Sequence, residues 1–235
     1  MKTKIIVSPV DDRDYSIRDV VNLDNLFVSA GIFVPVRTEV RCQWFSSQCT
    51  CYAVTQAMSQ QEQLKYNKHI LYSPGFLYAN REEDDYKGEG WYVRKALKQA
   101  YKYGTVANDL FPFPESYKSE RKKFLKQKDE LLPLAQKRRI KSYFRCYTEF
   151  EMKACINLFG SCIVVSQITS NWLLKKKITG KEKTHGAHAY ILIGYSDYDK
   201  CWLAQDSYSI FAHNKGTLLI PYDFKFKECW GIERD

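Results

Sequence analysis

The sequence predicts an α+β fold in two lobes, helical first and strand-rich last. Three observations carry that prediction. Cys49 to Tyr66 runs without Gly or Pro and suits a helix; helical patterns recur at 91–103 and 149–159, each ended by a glycine; and beyond residue 160 short apolar runs alternate with turns. Helices followed by strands, rather than helix and strand in alternation, point to α+β and away from a doubly wound α/β sheet. No internal repeat is visible. One domain spanning 1–235 is expected, with a mainly helical lobe at about 41–115, a mainly β lobe at about 140–235, and residues 1–40 packed on the core as an extension.

In chain order, the extension is mixed and carries the polar cluster Asp11-Asp12-Arg13-Asp14-Tyr15, and residues 41–48 read as a Ser/Gln loop. After the 49–66 helix, Ser73-Pro74-Gly75 marks a break, Phe76 to Arg81 a short helix, and Gly88-Glu89-Gly90 a turn. Trp91 to Tyr103 is amphipathic and stops at Gly104, and Phe111-Pro112-Phe113-Pro114 forbids regular structure. The basic stretch 116–139 reads as helical with an interruption at Pro133. Glu149 to Phe159 ends at Gly160, and strands are expected at Cys162–Ser166, Ala189–Ile193, Trp202–Ala204 and Thr217–Ile220.

Composition narrows the class. With 235 residues, 45% hydrophobic, 17 Tyr and 13 Phe, the chain can bury a sizeable core and is no disordered polymer. No apolar run is long enough to span a membrane, and the N-terminus has too short an apolar stretch for an export signal. A cytoplasmic location follows as the expectation, the host cytoplasm or the virion if the gene is phage-borne. The eight cysteines (42, 49, 51, 146, 155, 162, 201 and 229) are then read as reduced thiols, with Cys155 and Cys162 as core residues. The net charge of +9 sits largely in 118–141 and 175–183. No nucleic-acid motif accompanies it, so a solvated face is expected rather than a nucleic-acid partner.

The chemistry-bearing residues form a pattern. A thiol becomes a good nucleophile as thiolate, which a helix N-terminus and a neighbouring imidazole both favour. Cys49 stands where the Ser/Gln loop turns into a helix. His188 directly precedes an apolar strand, a rigid place to hold a base, and Asp206 follows the next strand across a hairpin, from where it could orient the ring. Cys51 competes with Cys49. Two residues apart on a helix is a rotation of about 200°, so only one of the two can face a cleft. Cys51 shares a face with Val54 and Met58, Cys49 with Ala53, Gln56 and Gln60. A metal site from Cys42, Cys49, Cys51, His185 and His188 has poor spacing for zinc, and no metal or cofactor is expected.

The order of these elements resembles the papain-like cysteine peptidases, in particular bacterial and phage-type members. The resemblance runs from about residue 10 to 225: Asp12-Arg13-Asp14-Tyr15; Gln43 six residues before Cys49; Leu71-Tyr72-Ser73-Pro74; Gly88-Glu89-Gly90 leading into a helix; Gly186-Ala187-His188-Ala189 running into Gly194-Tyr195; and Asp206-Ser207-Tyr208-Ser209 where the family has Asn-Ser-Trp-Gly. Cys49 and His188 are 139 residues apart, against about 130–150 in the family.

The resemblance implies a helical lobe and an antiparallel β-barrel-like lobe with the active-site cleft between them. It implies a protein or peptide substrate, a catalytic triad of Cys49, His188 and Asp206, and Gln43 at the oxyanion site. It also implies a substrate-binding edge at Gly90, Trp91 and Ala187. The Gln43 spacing favours Cys49 over Cys51. The pattern departs from the family in Gln48 before the cysteine, in Asp206 for the usual Asn, and in lacking the Trp that follows it, with Tyr208 near that place. Those departures leave a rival: a papain-like module of weakened chemistry, used for binding or as a structural component such as a phage virion protein.

Overall fold

The computed structural model describes residues 5–44, 46–86, 89–112, 116–169, 172–178 and 184–234. Gly88 of the expected turn, Phe113 and Pro114, residues 179–183 of the second basic run and the His185 side chain lie outside them.

A central helix, α2 (Cys49–Tyr66), is buried from Cys49 through Glu62. Part of this buried polar sequence finds internal partners, while the Thr50, Gln56 and Gln60 side chains have none among the described residues. Thr55 donates to the Cys51 carbonyl (2.8 Å), Ser59 to that of Thr55 (2.9 Å), Gln61 to that of Ile232 (2.8 Å), and Glu62 accepts from the Tyr72 hydroxyl (2.9 Å) and pairs with Arg234. On one side of α2 lie α3 (Pro74–Ala79), opened by Ser73 as N-cap with proline at the first position, and α4 (Val93–Lys102). Gly104 closes α4 at φ +73°, and a Cβ there would sit 2.0 Å from the Ala135 carbonyl oxygen. Only glycine lets the following helix come so near.

That helix, α5 (Tyr117–Gln136), runs through Pro133 without the expected interruption. Proline forfeits one backbone bond there, while Phe124, Leu131 and Ala135 bury against Phe76, Val106 and Phe111, at about 1.5–3 kcal/mol for each large side chain. The basic stretch is therefore a docked helix with one solvated face.

On the other side of α2 is an antiparallel sheet of seven strands in the order β2 (Ser142–Arg145), β7 (Glu228–Glu233), β3 (Cys162–Thr169), β4 (Thr184–Ser196), β5 (Cys201–Gln205) and β6 (Thr217–Pro221), with the short β1 (Ile32–Phe33) paired to β4. The strand-rich lobe expected from sequence is thus an open sheet with β2 and β6 at its edges. Alternation assigns its faces: Ile163, Val165, Ala189 and Ile191 pack toward α2, while Cys162, Val164, Tyr190 and Leu192 pack toward α6 (Glu149–Phe159). α6 has a capping box at Thr148 and a left-handed Gly160 as its stop.

β1, β2, β7 and the one-turn α1 (Ile17–Val20) were not expected from the sequence. Asp14 of the Asp-Arg-Asp-Tyr element pins the N-terminal extension. It accepts from Arg94 of α4 (2.5 Å) and Arg145 of β2 (3.3 Å), tying the helical elements to the sheet. Among the described residues no helix is long and apolar enough to cross a membrane.

Candidate active site

Cys49 is the first residue of α2 and is 2% exposed. Gln48 holds the N-cap position without capping. Its side chain is drawn away to the Glu120 carboxyl of α5 (2.6 Å), so the first-turn N–H groups meet no capping side chain. Glu120 is fully buried, which pushes its carboxyl up to about 9 against the pull of Gln48, Arg81 and Lys123; near neutral pH it is an uncharged partner for Gln48. Cys51 is completely buried in the core with Tyr78 and Val54, and burial pushes its thiol far up. Of the two thiols, Cys49 is the one that acts on the His188 ring.

His188 sits near the start of β4, opposite Ser166 of β3, with no exposed surface. Its Nε2 is 2.6 Å from Asp206 Oδ1, as the hairpin argument anticipated. Its Nδ1 is buried without a hydrogen-bond partner, and Cys49 is near enough to help raise the ring's pKa. Burial alone would lower that pKa, but the charge and hydrogen bond of Asp206, then the neighbouring Cys49, carry it to about 10. Burial would likewise raise the Asp206 carboxyl; the charge and hydrogen bond of His188, followed by those of His213, hold it well below the usual range.

Gln43 is brought to the same place by strand-like pairing: its N–H donates to the Ser207 carbonyl (2.7 Å), and Cys42 bridges Tyr208. Its Oε1 accepts from the Ser207 hydroxyl (2.6 Å) and its Nε2 donates to the Ser46 carbonyl (2.8 Å). That fixes the amide's orientation and leaves its second N–H without a bond among the described residues. Asp206 and Ser207, adjacent in the chain, thus position His188 and Gln43 respectively.

The expected substrate edge is more mixed. Gly90 has φ +89° and its N–H is taken by the Tyr78 hydroxyl (3.0 Å), while its carbonyl accepts from Arg81 (3.2 Å). Trp91 is a core residue whose indole donates to Asp85 (3.0 Å). Ala187 is half-buried on β4, immediately before His188. Ser47 donates to the exposed Glu89 (3.2 Å), which joins the Gln43 loop to the segment leading into Gly90.

Trp172 and His213 escaped the sequence, and Tyr208 was placed near the missing Trp without a contact assigned to it. Trp172, from a segment far from the expected shielding position, donates its indole N–H to Asp206 Oδ2 (2.6 Å) and packs edge-on to His188. Tyr208 occupies the vacant Trp place after Asp206 and stacks on His188, centroids 4.7 Å apart at 26°. His213 approaches Asp206 Oδ2 at 2.9 Å through Nε2. A second imidazole beside the Asp was not sought because no spacing rule calls for one.

All eight cysteines are free. The group whose donor atoms converge, among the described residues, is Cys146, Cys155 and Cys162, all within 4.8 Å, and not the Cys42/Cys49/Cys51/His185/His188 set. Burial first holds the Cys146 and Cys155 thiols high, and the hydrogen bond with Cys146 first holds that of Cys162.

The architecture is that of papain-like cysteine proteases. Xylellain, a cysteine protease from Xylella fastidiosa, superposes with a TM-score of 0.80 at 20% identity, covering 98% of this chain and 95% of that one. Procathepsin B S9 from Trypanosoma congolense gives 0.74 at 11%, covering 97% and 84%. The cysteine protease and lectin-like domains of Cwp84 from Clostridium difficile give 0.75 at 14%, covering 98% of this chain and 56% of that one. No family model and no curated protein matches the sequence. At these identities the likeness establishes the papain-like fold.

Proposed function

We propose that the protein is a cysteine peptidase that cleaves peptide bonds through a covalent acyl-enzyme. The observation that carries this is His188: a fully buried imidazole bonded to Asp206 through Nε2, with its other nitrogen unpartnered beside the Cys49 thiol at a helix N-terminus. A buried ring nitrogen without a partner is costly unless it has a use. Here it can take the Cys49 proton and later give it up.

The Cys49 thiolate attacks the substrate carbonyl carbon. The oxyanion that forms is met by the second Gln43 amide N–H and the uncapped Cys49 backbone N–H, at the positive end of the 18-residue α2. As the tetrahedral species collapses, His188 Nδ1–H delivers its proton to the leaving amine. Water then attacks the thioester, with His188 taking the proton from it, and Cys49 is released. Trp172 and Tyr208 keep water from the His188–Asp206 bond. A peptide strand laid along Gly90 would use the second lone pair of its carbonyl, since the N–H is committed to Tyr78.

The test is labelling with a thiol-reactive peptide probe, read by mass spectrometry, beside cleavage of a casein-type substrate. Labelling is expected at Cys49 and should vanish in Cys49→Ala. Labelling that persists at Cys51 in that variant, or an unvariegated slow reaction at every thiol, would overturn the assignment.

A further inference from the structure

We propose that His213 is a positively charged positioning residue of the site, and that Asp206 and His213 together present to His188 what a single neutral acceptor would otherwise provide. This rests on the peptidase reading above.

The argument begins with donors and acceptors. Asp206 Oδ1 accepts from the His188 ring (2.6 Å) and from the Ser207 N–H (2.6 Å); Oδ2 accepts from the Trp172 indole (2.6 Å) and faces His213 Nε2 (2.9 Å). On its other side His213 Nδ1 is 2.7 Å from the Lys175 carbonyl oxygen. A carbonyl cannot donate, so Nδ1 must carry a proton. An ionised carboxylate cannot donate either, so Nε2 must carry one too. With both nitrogens donating, His213 is an imidazolium. Either neutral tautomer would set a lone pair against an oxygen inside a closed site.

The backbone supports a dedicated role. His213 lies in the left-handed region at φ +57°, a conformation that is unfavourable for a residue with a side chain. It is held there by its N–H bond to the Leu173 carbonyl (2.8 Å) and by edge-on packing against Trp172, centroids 5.5 Å apart at 86°. Its side chain has no exposed surface.

Charge then explains the pairing. The groups that face this network are Cys49, His188, Asp206 and His213, with the Tyr190 and Tyr208 phenols beside the His188 ring and Lys175 touching His213 through its carbonyl. With Cys49 as thiolate and both imidazoles protonated, two negative and two positive charges cancel inside a buried site. Without His213 the same site would hold an uncompensated negative charge, which a low-dielectric interior resists. An aspartate where papain-like peptidases have asparagine, and a histidine seven residues later, are thus two halves of one substitution. The consequence reaches the base: a bare Asp206 carboxylate would grip the His188 proton harder and make it a poorer acid toward the leaving amine.

Two measurements test this. In the wild type, 15N-resolved NMR of the imidazoles at pH 7 should show both His213 nitrogens protonated; a neutral tautomer would overturn the inference whether or not the chain cleaves peptides. Next, the rate of Cys49 alkylation by iodoacetamide and kcat/KM on a peptide are followed against pH. In His213→Gln, which keeps a donor and drops the charge, the alkaline limit should move up by about one pH unit and kcat fall about tenfold. In the double variant Asp206→Asn with His213→Gln, the limit should return toward the wild type and part of kcat should recover. An unmoved limit in the single variant, or additive losses in the double one, would overturn the proposal. Circular dichroism and melting of each variant exclude a folding loss as the cause. A wild type whose Cys49 reacts no faster than an ordinary thiol would instead sink the peptidase reading and leave the NMR result to decide His213.

Discussion

Cys49 and the Cys146–Cys155–Cys162 cluster are buried to nearly the same degree, 2% exposed against 3%, 0% and 0%, yet their surroundings differ in kind. Around the cluster are Phe144, Phe159, Met152 and Val164, and the thiols find hydrogen-bond partners in one another and in backbone carbonyls such as that of Ser161 (3.2 Å). Around Cys49 are an imidazole bonded to a carboxylate, an amide fixed by two hydrogen bonds, and a helix N-terminus with no capping side chain. Burial by itself disfavours a thiolate at both places. What separates them is the company: a cation and oriented dipoles at one, apolar side chains at the other. A cysteine's depth therefore says little about its reactivity until its partners are named.

The comparison breaks most sharply at His188. Its replacement by Ala should lower kcat/KM by about 10²–10⁴-fold, and bring Cys49 alkylation at pH 7 down toward the rate of an ordinary thiol. Cys155→Ala should change neither, as the two groups share no partner. A His188→Ala variant that still alkylates rapidly would show that the imidazole is not what distinguishes Cys49. Gln43→Ala comes next. Removing one oriented donor should cost about 10²–10³-fold in kcat with KM little changed, measured by steady-state cleavage of a peptide. Ser207→Ala should lower kcat by less, since the Gln43 amide keeps its bond to Ser46.

Much of this arrangement was legible from the chain. The bounds of α2 and α6 follow from uninterrupted helical composition and, for α6, a glycine stop, and the hairpin that puts Asp206 beside His188 follows from two strands and a short turn. The spacing of Gln43 and the helical phase both favoured Cys49 over Cys51, and the fold puts Cys49 rather than Cys51 beside the His188 ring. The illegible parts have physical reasons. β2 and β7 pair residues almost ninety positions apart, and their sequences, Ser-Tyr-Phe-Arg and Glu-Cys-Trp-Gly-Ile-Glu, take their strand character from burial rather than from alternation. Pro133 reads as a break because the rule is local, whereas the packing of Phe124 and Leu131 on Phe76 and Phe111 is not. Trp172 and His213 reach Asp206 from a short 3-10 turn and a loop with no periodicity, so only the folded chain shows that its second oxygen is occupied.

The smallest effect gives the finest test of the difference, because the two thiol sites should lose stability in different pH windows. His188 ordinarily titrates at 6.5 and in the folded chain at about 10. The folded state holds that proton more tightly, so the stabilisation is complete below 6.5 and is lost as pH rises to about 10. The cluster thiols, ordinarily at 9.0 and raised above it by folding, favour their neutral form. Their contribution is intact below 9.0 and declines only above it, where the unfolded thiols ionise first. Urea midpoints measured from pH 6 to 11 should therefore show the gap between wild type and His188→Ala narrowing from about 6.5 onward. The gap between wild type and Cys155→Ala, about 1–3 kcal/mol for a truncated core side chain, should stay level to pH 9 and shrink beyond it. If both gaps narrowed over one window, the two sites would be titrating as one electrostatic unit, and the distinction drawn between them would fail.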